Sequence, residues 1–171
     1  MIRPATPADI PALHALVESA FRGDSARGGW THEADLLGGQ RTDPAALGEA
    51  IADPDRTILI ALDGDAMTGC VEVKSASAGR SALGLLSVRP DGQAKGLGRR
   101  LVAAAEDHAR AHHGASRMEM TVIAVRGELI AWYERLGYAR TGETRPFPMD
   151  DPRFGLPRVP LSFVVLERSL T

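Results

Sequence analysis

The sequence predicts an α/β protein, and three observations support this prediction. Short apolar segments bounded by glycine, proline or aspartate are typical of strands, as at Thr57 to Leu62 and Ala66 to Lys74. Longer segments carry apolar residues at helical spacing, as in the stretch that begins at Gly96. Residues 85–101 then combine a strand, a glycine-rich turn and a helix start. Strands and helices that follow one another in this way indicate a sheet covered by helices.

Local signals place the elements of the first half of the chain. Thr6 and Pro7 are typical of a helix start, because a hydroxyl caps the first N–H groups and proline suits the first turn. Asp43-Pro44 repeats this signal, and Asp63-Gly64-Asp65 is typical of a hairpin turn. We interpret Arg22 to Gly39 as a loop with a short helix at Thr31 to Leu37. The predicted elements are, in order, a strand at Ile2 to Ala5, a helix from Thr6 to Phe21, a helix from Asp43 to Ile51, and strands at Thr57 to Leu62, Ala66 to Lys74 and Ala82 to Val88.

Glycine and proline residues mark the boundaries of the predicted elements in the second half of the chain. Gly114 and Gly137 each follow a helical pattern and are suitable terminators. The many prolines between Pro146 and Pro160 argue against regular structure there. The predicted elements are a helix from Gly96 to Gly114, a strand at Met118 to Val125, a helix at Glu128 to Leu136, and strands at Tyr138 to Thr144 and Leu161 to Arg168.

Length and charge limit the function classes. A chain of 171 residues fits one domain, residues 1–171, with a sizeable core. The net charge of −2 gives no electrostatic reason to expect nucleic acid or an anionic membrane as a partner. No segment resembles a membrane span or a signal peptide, and the single Cys70 fits a reducing compartment. We therefore expect a cytoplasmic protein that binds neither nucleic acid nor membrane.

The turn within residues 85–101 is suited to a phosphate group. A glycine-rich turn before a helix directs unpaired backbone N–H groups to one spot, beside the positive end of the helix dipole. Gly96 and Gly98 lack a Cβ, so ligand oxygens can approach the main chain, and Lys95 and Arg99 add positive charge. The sequence therefore predicts a pyrophosphate cradle.

The spacing of the cradle excludes two common nucleotide motifs and resembles a third. Neither G-x-G-x-x-G nor G-x-x-x-x-G-K-[ST] is present. Instead, Val88-x-Pro90 closes a strand and Gln93-x-x-Gly96-x-Gly98 opens a helix, which resembles the acyl-coenzyme A signature of the GNAT family of N-acetyltransferases. Glu128 to Tyr138 is similar to a second family signature, A-x-x-x-Y-x-x-x-G-F/Y. By this resemblance the chain is identified as a member of the GNAT family.

The resemblance implies a fold and a cofactor site. The GNAT fold is a single mixed, mostly antiparallel twisted sheet of six or seven strands with about four flanking helices. The strand that ends at Val88 and the strand at Met118 to Val125 would run parallel and splay apart, and acetyl-CoA, the acyl donor, would lie in the gap. The Val88 N–H would polarise the thioester carbonyl. The residues implied in cofactor binding are Leu86, Ser87, Val88, Gln93, Ala94, Lys95, Gly96, Leu97, Gly98 and Arg99.

The implied reaction is direct attack of a primary amine on acetyl-CoA. Tyr133 occupies the place of the family's tyrosine that reaches the coenzyme A sulfur, so it is the candidate acid; the alternative is a packing role. An alkylamine is mostly protonated at pH 7 and must lose a proton before it attacks. Glu72 is the first candidate base because it lies between Val71 and Val73 on the other face of a strand. Glu119, Glu33 and ordered water are the alternatives.

The remaining candidate residues mostly favour structural roles. Where the family commonly has an asparagine that bonds the pantetheine arm, this chain has Arg126, which can only donate hydrogen bonds. His108 and His112 have the spacing of a zinc pair but lack a clear third ligand, so we expect no metal site. Cys70 is expected to be a packed thiol rather than a nucleophile.

Acceptor selection is expected to reside in two irregular segments. Trp30 and Glu33 combine an aromatic ring with a carboxylate, which suits a cationic amine. Phe147 belongs to a second segment that would form the opposite wall. We expect a small-molecule amine as acceptor; the alternatives are a protein or peptide amine, or a non-catalytic acyl-coenzyme A sensor. The apolar strand Leu161 to Leu166 is a candidate for pairing between two subunits of a homodimer.

Overall fold

A computed structural model describes residues 1–21, 37–38, 42–92, 95–147, 156–157 and 161–171. Of the predicted site residues, Trp30, Glu33, Gln93 and Ala94 lie outside these ranges. Within them, no helix combines the length and apolarity needed to cross a membrane.

Local capping signals position the helices. The Asp43 side chain accepts a hydrogen bond from the Ala46 N–H at 2.7 Å, and the Asp9 carboxylate accepts one from the Thr6 N–H at 2.8 Å. Gly114 ends its helix in the left-handed conformation with φ 59°. The helices are α1 (Ile10–Phe21), α2 (Pro44–Ala52), α3 (Leu97–His113) and α4 (Gly127–Arg135), and short 3-10 turns occupy Pro7–Asp9 and Pro90–Gly92.

The strands form a seven-stranded mixed sheet and a separate two-stranded ladder. The strands are β1 (Ile2–Pro4), β2 (Leu37–Gly38), β3 (Arg56–Asp63), β4 (Ala66–Ser75), β5 (Arg80–Val88), β6 (Arg117–Ile123), β7 (Ala139–Pro146), β8 (Leu156–Pro157) and β9 (Ser162–Ser169). The order in the large sheet is β1-β3-β4-β5-β6-β9-β7, and β2 pairs with β8. Among the described strands only β5 and β6 run parallel, so the mixed, mostly antiparallel sheet expected from the sequence is confirmed.

Three sequence-based expectations about elements need correction. Leu37 lies in strand β2 rather than at the end of a helix, and β8 places regular structure inside the proline-rich segment. The last strand, β9, cannot add a strand from a second subunit because it is hydrogen-bonded to β6 on one side and to β7 on the other. The edges of the sheet are β1 and β7.

Two apolar cores cover opposite faces of the sheet. The larger core packs α3 and α4 against one face, where Val71, Val73 and Leu83 are buried. The second core packs α1 and α2 against the other face at β3 and β4, where Ile58 and Cys70 are buried. Because side chains alternate along a strand, residues next to the larger core's members point to the second face. Glu72 and Gly84 therefore lie on the α1 face.

Candidate active site

The parallel pair opens into a wedge. Strands β5 and β6 pair only where Arg80 to Ala82 faces Arg117 to Glu119. Beyond this point β5 continues along β4 to Val88, and its pairing with β6 has ended. The Arg89 N–H donates to the Thr68 carbonyl of β4 at 3.0 Å. Since successive N–H groups of a strand point to opposite sides, the Val88 N–H points toward the wedge. This is the splayed pair expected from the sequence.

A β-bulge shapes the wall of the wedge. The β4–β5 register shifts between Cys70 and Glu72, and Leu85 adopts the left-handed conformation with φ 54°, which is uncommon for a non-glycine residue. Its carbonyl accepts hydrogen bonds from the Ser87 hydroxyl at 3.0 Å and the Cys70 thiol at 3.4 Å. The Ser87 side chain is thus used inside the protein, and its backbone pairs with Cys70 of β4.

The cradle lies where β5 meets α3. Gly96 is the N-cap of α3 in the left-handed conformation (φ 80°), and a Cβ placed on it would meet no heavy atom of the described residues within 4 Å. Among the described residues no side chain caps the helix, which favours the binding of an anion by its first N–H groups. Lys95 and Arg99 beside it are exposed. These features fit a pyrophosphate. Leu97 is half-buried against the larger core, and Gln93 and Ala94 lie outside the described residues.

The second glycine of the motif has a packing role that the sequence did not indicate. A Cβ on Gly98 would lie 3.3 Å from the Trp132 ring. The indole therefore packs against the bare backbone of α3 and fixes α4 beside the cradle. Gly98 therefore also has a reason in helix–helix packing to be glycine, and its contact with phosphate stays a prediction.

Tyr133 sits deep in the junction of α3, α4 and the sheet. Its side chain packs edge-on between Trp132 (ring centroids 4.9 Å apart) and Tyr138 (5.9 Å). Burial raises the pKa of the Tyr133 phenol far above its ordinary value, and the nearby Arg126 guanidinium opposes this rise only in part. Tyr133 therefore keeps its proton throughout the physiological pH range and can serve as a hydrogen-bond donor.

A buried ionic cluster anchors the turn after α4, and sequence reasoning missed it. The Glu106 carboxylate on α3 accepts hydrogen bonds from the Tyr138 hydroxyl at 2.9 Å and from Arg168 Nη1 at 3.0 Å. Arg168 in turn lies over Gly137, where a Cβ would come within 3.2 Å of its Nε. Partners this far apart in sequence leave no local pattern; only a charged residue on the apolar side of α3 signals the cluster.

The two candidate strand carboxylates are both ion-paired. Glu72 lies on the α1 face as predicted, and its Oε2 accepts a hydrogen bond from Arg56 Nη2 at 2.8 Å. Arg56 Nε is buried and has no hydrogen-bond partner. Glu119 lies 3.5 Å from Arg145 Nη1 in a half-open cavity of about 450 Å³ on the β6–β9–β7 part of the sheet. Neither carboxylate is therefore a lone anion.

The acceptor residues predicted from sequence have different outcomes. Phe147 is only 7% exposed because it packs with Ile123 and Phe163, so its ring offers little surface to a ligand. The two irregular segments do meet, since Leu37 pairs with Pro157 and Gly38 with Leu156. Trp30 and Glu33 lie outside the described residues.

The histidines near the end of α3 have structural contacts. His113 Nδ1 lies 2.7 Å from the hydroxyl of the buried Ser81, and His108 stacks at 4.4 Å from His112. Within the described ranges, no three potential metal ligands converge.

Comparison with known proteins agrees with this geometry. Residues 32–148 match the family model described as the acetyltransferase (GNAT) domain. No curated protein sequence matches the chain significantly. The search of solved structures found many matches, of which three are described below.

Similar structures cover nearly the whole chain. A GNAT-family protein from Desulfovibrio desulfuricans has a TM-score of 0.73 at 18% identity, covering 100% of this chain and 99% of its own. The Escherichia coli ribosomal-protein-S18-alanine N-acetyltransferase has a TM-score of 0.71 at 17% identity, with coverage of 100% and 94%. A Salmonella typhimurium structure with its cofactor acetyl-CoA has a TM-score of 0.68 at 21% identity, with coverage of 100% and 94%. With the family model matching more than half of its residues, the chain belongs to the GNAT acetyltransferases, enzymes that use acetyl-CoA as acyl donor.

Proposed function

We propose that this acetyltransferase transfers the acetyl group of acetyl-CoA to the primary amine of a small molecule by direct attack. The observation that carries this proposal is the wedge between β5 and β6, with the cradle beside its β5 wall and the buried Tyr133 along one face. This arrangement offers backbone donors, an anion site and a phenol to one bound thioester.

Each part of the site has a proposed role toward the cofactor. Gly96 and the first N–H groups of α3 hold the pyrophosphate, with Lys95 and Arg99 adding positive charge. The backbone of Leu86 to Val88 binds the pantetheine arm as an added strand would. The Val88 N–H, directed at the wedge, polarises the thioester carbonyl and so favours attack at its carbon.

Tyr133 acts on the departing sulfur. A thiol has an ordinary pKa of about 8.5, well below that of a buried phenol, so full proton transfer from Tyr133 to a thiolate is uphill. We therefore assign Tyr133 the donation of a hydrogen bond that stabilises the developing negative charge on sulfur. The Arg126 cation opposes the rise in the pKa of Tyr133, which makes the phenol a stronger hydrogen-bond donor to the sulfur.

The proton of the attacking amine must leave on the opposite face. Glu72 is our first choice as base, directly or through water, because it is on the α1 face and its Oε2 is held by Arg56. Glu119 and Glu33 are the alternative carboxylates.

A small acceptor is favoured by the contact between the two irregular segments. The β2–β8 ladder ties the α1–α2 connection to the β7–β9 connection, and a peptide acceptor needs an open groove, so we favour a small amine. The E. coli neighbour named above acts on a protein alanine, so a protein acceptor is the competing possibility for this fold.

Calorimetry and a coupled assay test the proposal. Calorimetry should detect binding of acetyl-CoA, and free thiol should then appear when butylamine, spermidine or free amino acids are added. Release of thiol only with a peptide that begins with alanine would move the assignment to a protein amine. Binding without turnover on either set would instead favour a sensor, and absence of binding would overturn the cofactor site.

A further inference from the structure

Four glycines line or neighbour the site, and three of them have an evident physical reason to be glycine. Gly96 needs its left-handed conformation, and a Cβ on Gly98 would press on Trp132. A Cβ on Gly69 would lie 2.8 Å from Leu101 Cδ1 and 2.9 Å from the Ser87 carbonyl. Gly84 shares neither property, because its φ is not positive and a Cβ there would meet no heavy atom of the described residues within 4 Å.

A glycine without a conformational or packing reason is costly in the middle of a strand. It weakens the strand and often marks a place where a ligand approaches the backbone closely. Gly84 is the fifth of the nine residues of β5, so this cost applies in full. Gly84 pairs at the register shift of the bulge, and the space beside its Cα is free of the described residues, so a bound molecule can occupy that space.

Register places this space at the closed end of the wedge. Ala82 is the last residue of β5 that pairs with β6, so Gly84 is just beyond the point where the two strands separate. On its other side, Gly84 pairs with Glu72 of β4. The neighbouring Leu83 is buried in the α3–α4 core, so the Gly84 Cα hydrogen that replaces a side chain points to the α1 face.

The direction of attack decides which molecule fills the space. A cofactor that extends β5 as an added strand lies in the plane of the sheet, and α3, α4 and Tyr133 cover one side of it. The second core covers the α1 face at β3 and β4, but the space beside Gly84 is free of the described residues, so we take the face of Gly84 and Glu72 as the side from which the amine approaches.

We propose that Gly84 is a specificity-determining residue of the acceptor site. Its missing side chain makes room for the carbon that carries the attacking amine, so the site accepts primary amines in which that carbon is branched, and each added methyl at position 84 excludes substituents on that carbon. This inference rests on the proposed function and names the class of amine within it.

The test uses two substitutions and a matched pair of amines. Butylamine and sec-butylamine differ in the branching of the carbon next to nitrogen. Gly84→Ala should lower kcat/KM for sec-butylamine more than for butylamine, and Gly84→Val should lower both by about tenfold or more, because one methyl group in a tight site has an effect of this size. The Kd of acetyl-CoA should stay within about twofold of wild type. Gly48→Ala is the control, since the same methyl there makes an ordinary 3.7 Å contact with Ile10, far from the wedge.

Each contrary outcome has a distinct meaning. Unchanged discrimination between the amines in both variants overturns the inference. So does a melting temperature below wild type in Gly84→Ala, because the space then belongs to internal packing, whereas a strand residue without strain should keep or raise stability. A change in the preference for propionyl-CoA over acetyl-CoA, with amine preference intact, overturns it in favour of an acyl-chain site. A wild-type chain that binds acetyl-CoA but acetylates neither amine overturns the small-amine function itself.

Discussion

Gly96 shows how one residue combines conformation and charge in the cradle. Its left-handed φ of 80° is tolerated by asparagine and aspartate better than by other side chains. Gly96→Asp and Gly96→Asn therefore carry similar backbone strain but differ by one negative charge. We expect the Asp variant to bind acetyl-CoA at least about fivefold more weakly than the Asn variant, because two like charges close together repel by about 1 kcal/mol or more.

Calorimetry at two salt concentrations checks this expectation. Added salt should narrow the difference between the two variants, since screening weakens charge repulsion. Equal affinities at low salt would show that no phosphate lies at Gly96.

The role of Tyr133 can be tested against a matched control, because the chain has one other tyrosine, Tyr138. Tyr133→Phe removes the proposed hydrogen bond to sulfur and should lower kcat by about a hundredfold, with little change in the Kd of acetyl-CoA. Tyr138→Phe is the control, because that hydroxyl is already bound to Glu106 at 2.9 Å. Steady-state kinetics of both variants measure the difference, and a Tyr133→Phe enzyme with normal kcat would remove Tyr133 from the chemistry.

At the scale of elements, the sequence predicts what local chemistry decides. Asp43 and Gly114 mark helix ends through contacts with residues a few positions away, so both ends of such helices were predictable. The pairing of β2 with β8 joins residues more than a hundred positions apart, and two-residue strands carry no periodic signal. The open end of the β5–β6 pair followed from family resemblance rather than from any residue pattern.

The same distinction applies within the site. The cradle lies in one continuous segment and was predictable from its glycines and charges. The partners of Glu72 and Tyr138 were not, because Arg56 and Glu106 come from other elements and become neighbours only in the folded sheet. The contact of Gly98 with Trp132 was not predictable for the same reason.

The Glu106 cluster is the main polar link between α3, β9 and the turn after α4. Glu106 is 6% exposed and paired with Arg168, whereas its neighbour Asp107 is 79% exposed and paired with Arg110 on the surface. Glu106→Gln leaves Arg168 without its ionic partner and should lower the free energy of unfolding by about 2–3 kcal/mol. Asp107→Asn should change it by less than about 0.5 kcal/mol. Urea denaturation of the two variants checks this, and equal small losses would show that the cluster contributes little to stability.

At the scale of the whole molecule, arginines pair with the carboxylates of the sheet. Among the described residues, each of the strand carboxylates Glu72, Glu119 and Glu167 has such a partner. Arg117 and then Arg80 lower the pKa of Glu167 on the open face, and Arg145 pairs with Glu119 on the neighbouring strand. At the edge of the sheet, Arg3 binds both oxygens of Asp9, at 2.9 and 3.0 Å, and so ties β1 to the entry of α1. Because folding lowers the pKa of Glu167 and Asp9, the stability that these pairs provide decreases as the pH falls.

Asp9 allows the sign of this dependence to be tested. The hydrogen bond from Arg3 is the largest cause that lowers its pKa to about 2, below the ordinary value near 4. A carboxyl group whose pKa is lowered by folding stabilises the protein above its ordinary pKa, and this stabilisation is lost as pH falls toward 2.

Because the pair is near the surface, we expect Asp9→Asn to lower the free energy of unfolding by roughly 1 kcal/mol at pH 7, which corresponds to a melting temperature lower by about 2–4 °C. The difference from wild type should shrink between pH 4 and pH 2, as measured by thermal denaturation with Asp107→Asn as control. A difference that stays constant to pH 2 would mean that Asp9 acts as a neutral capping group and not through its charge.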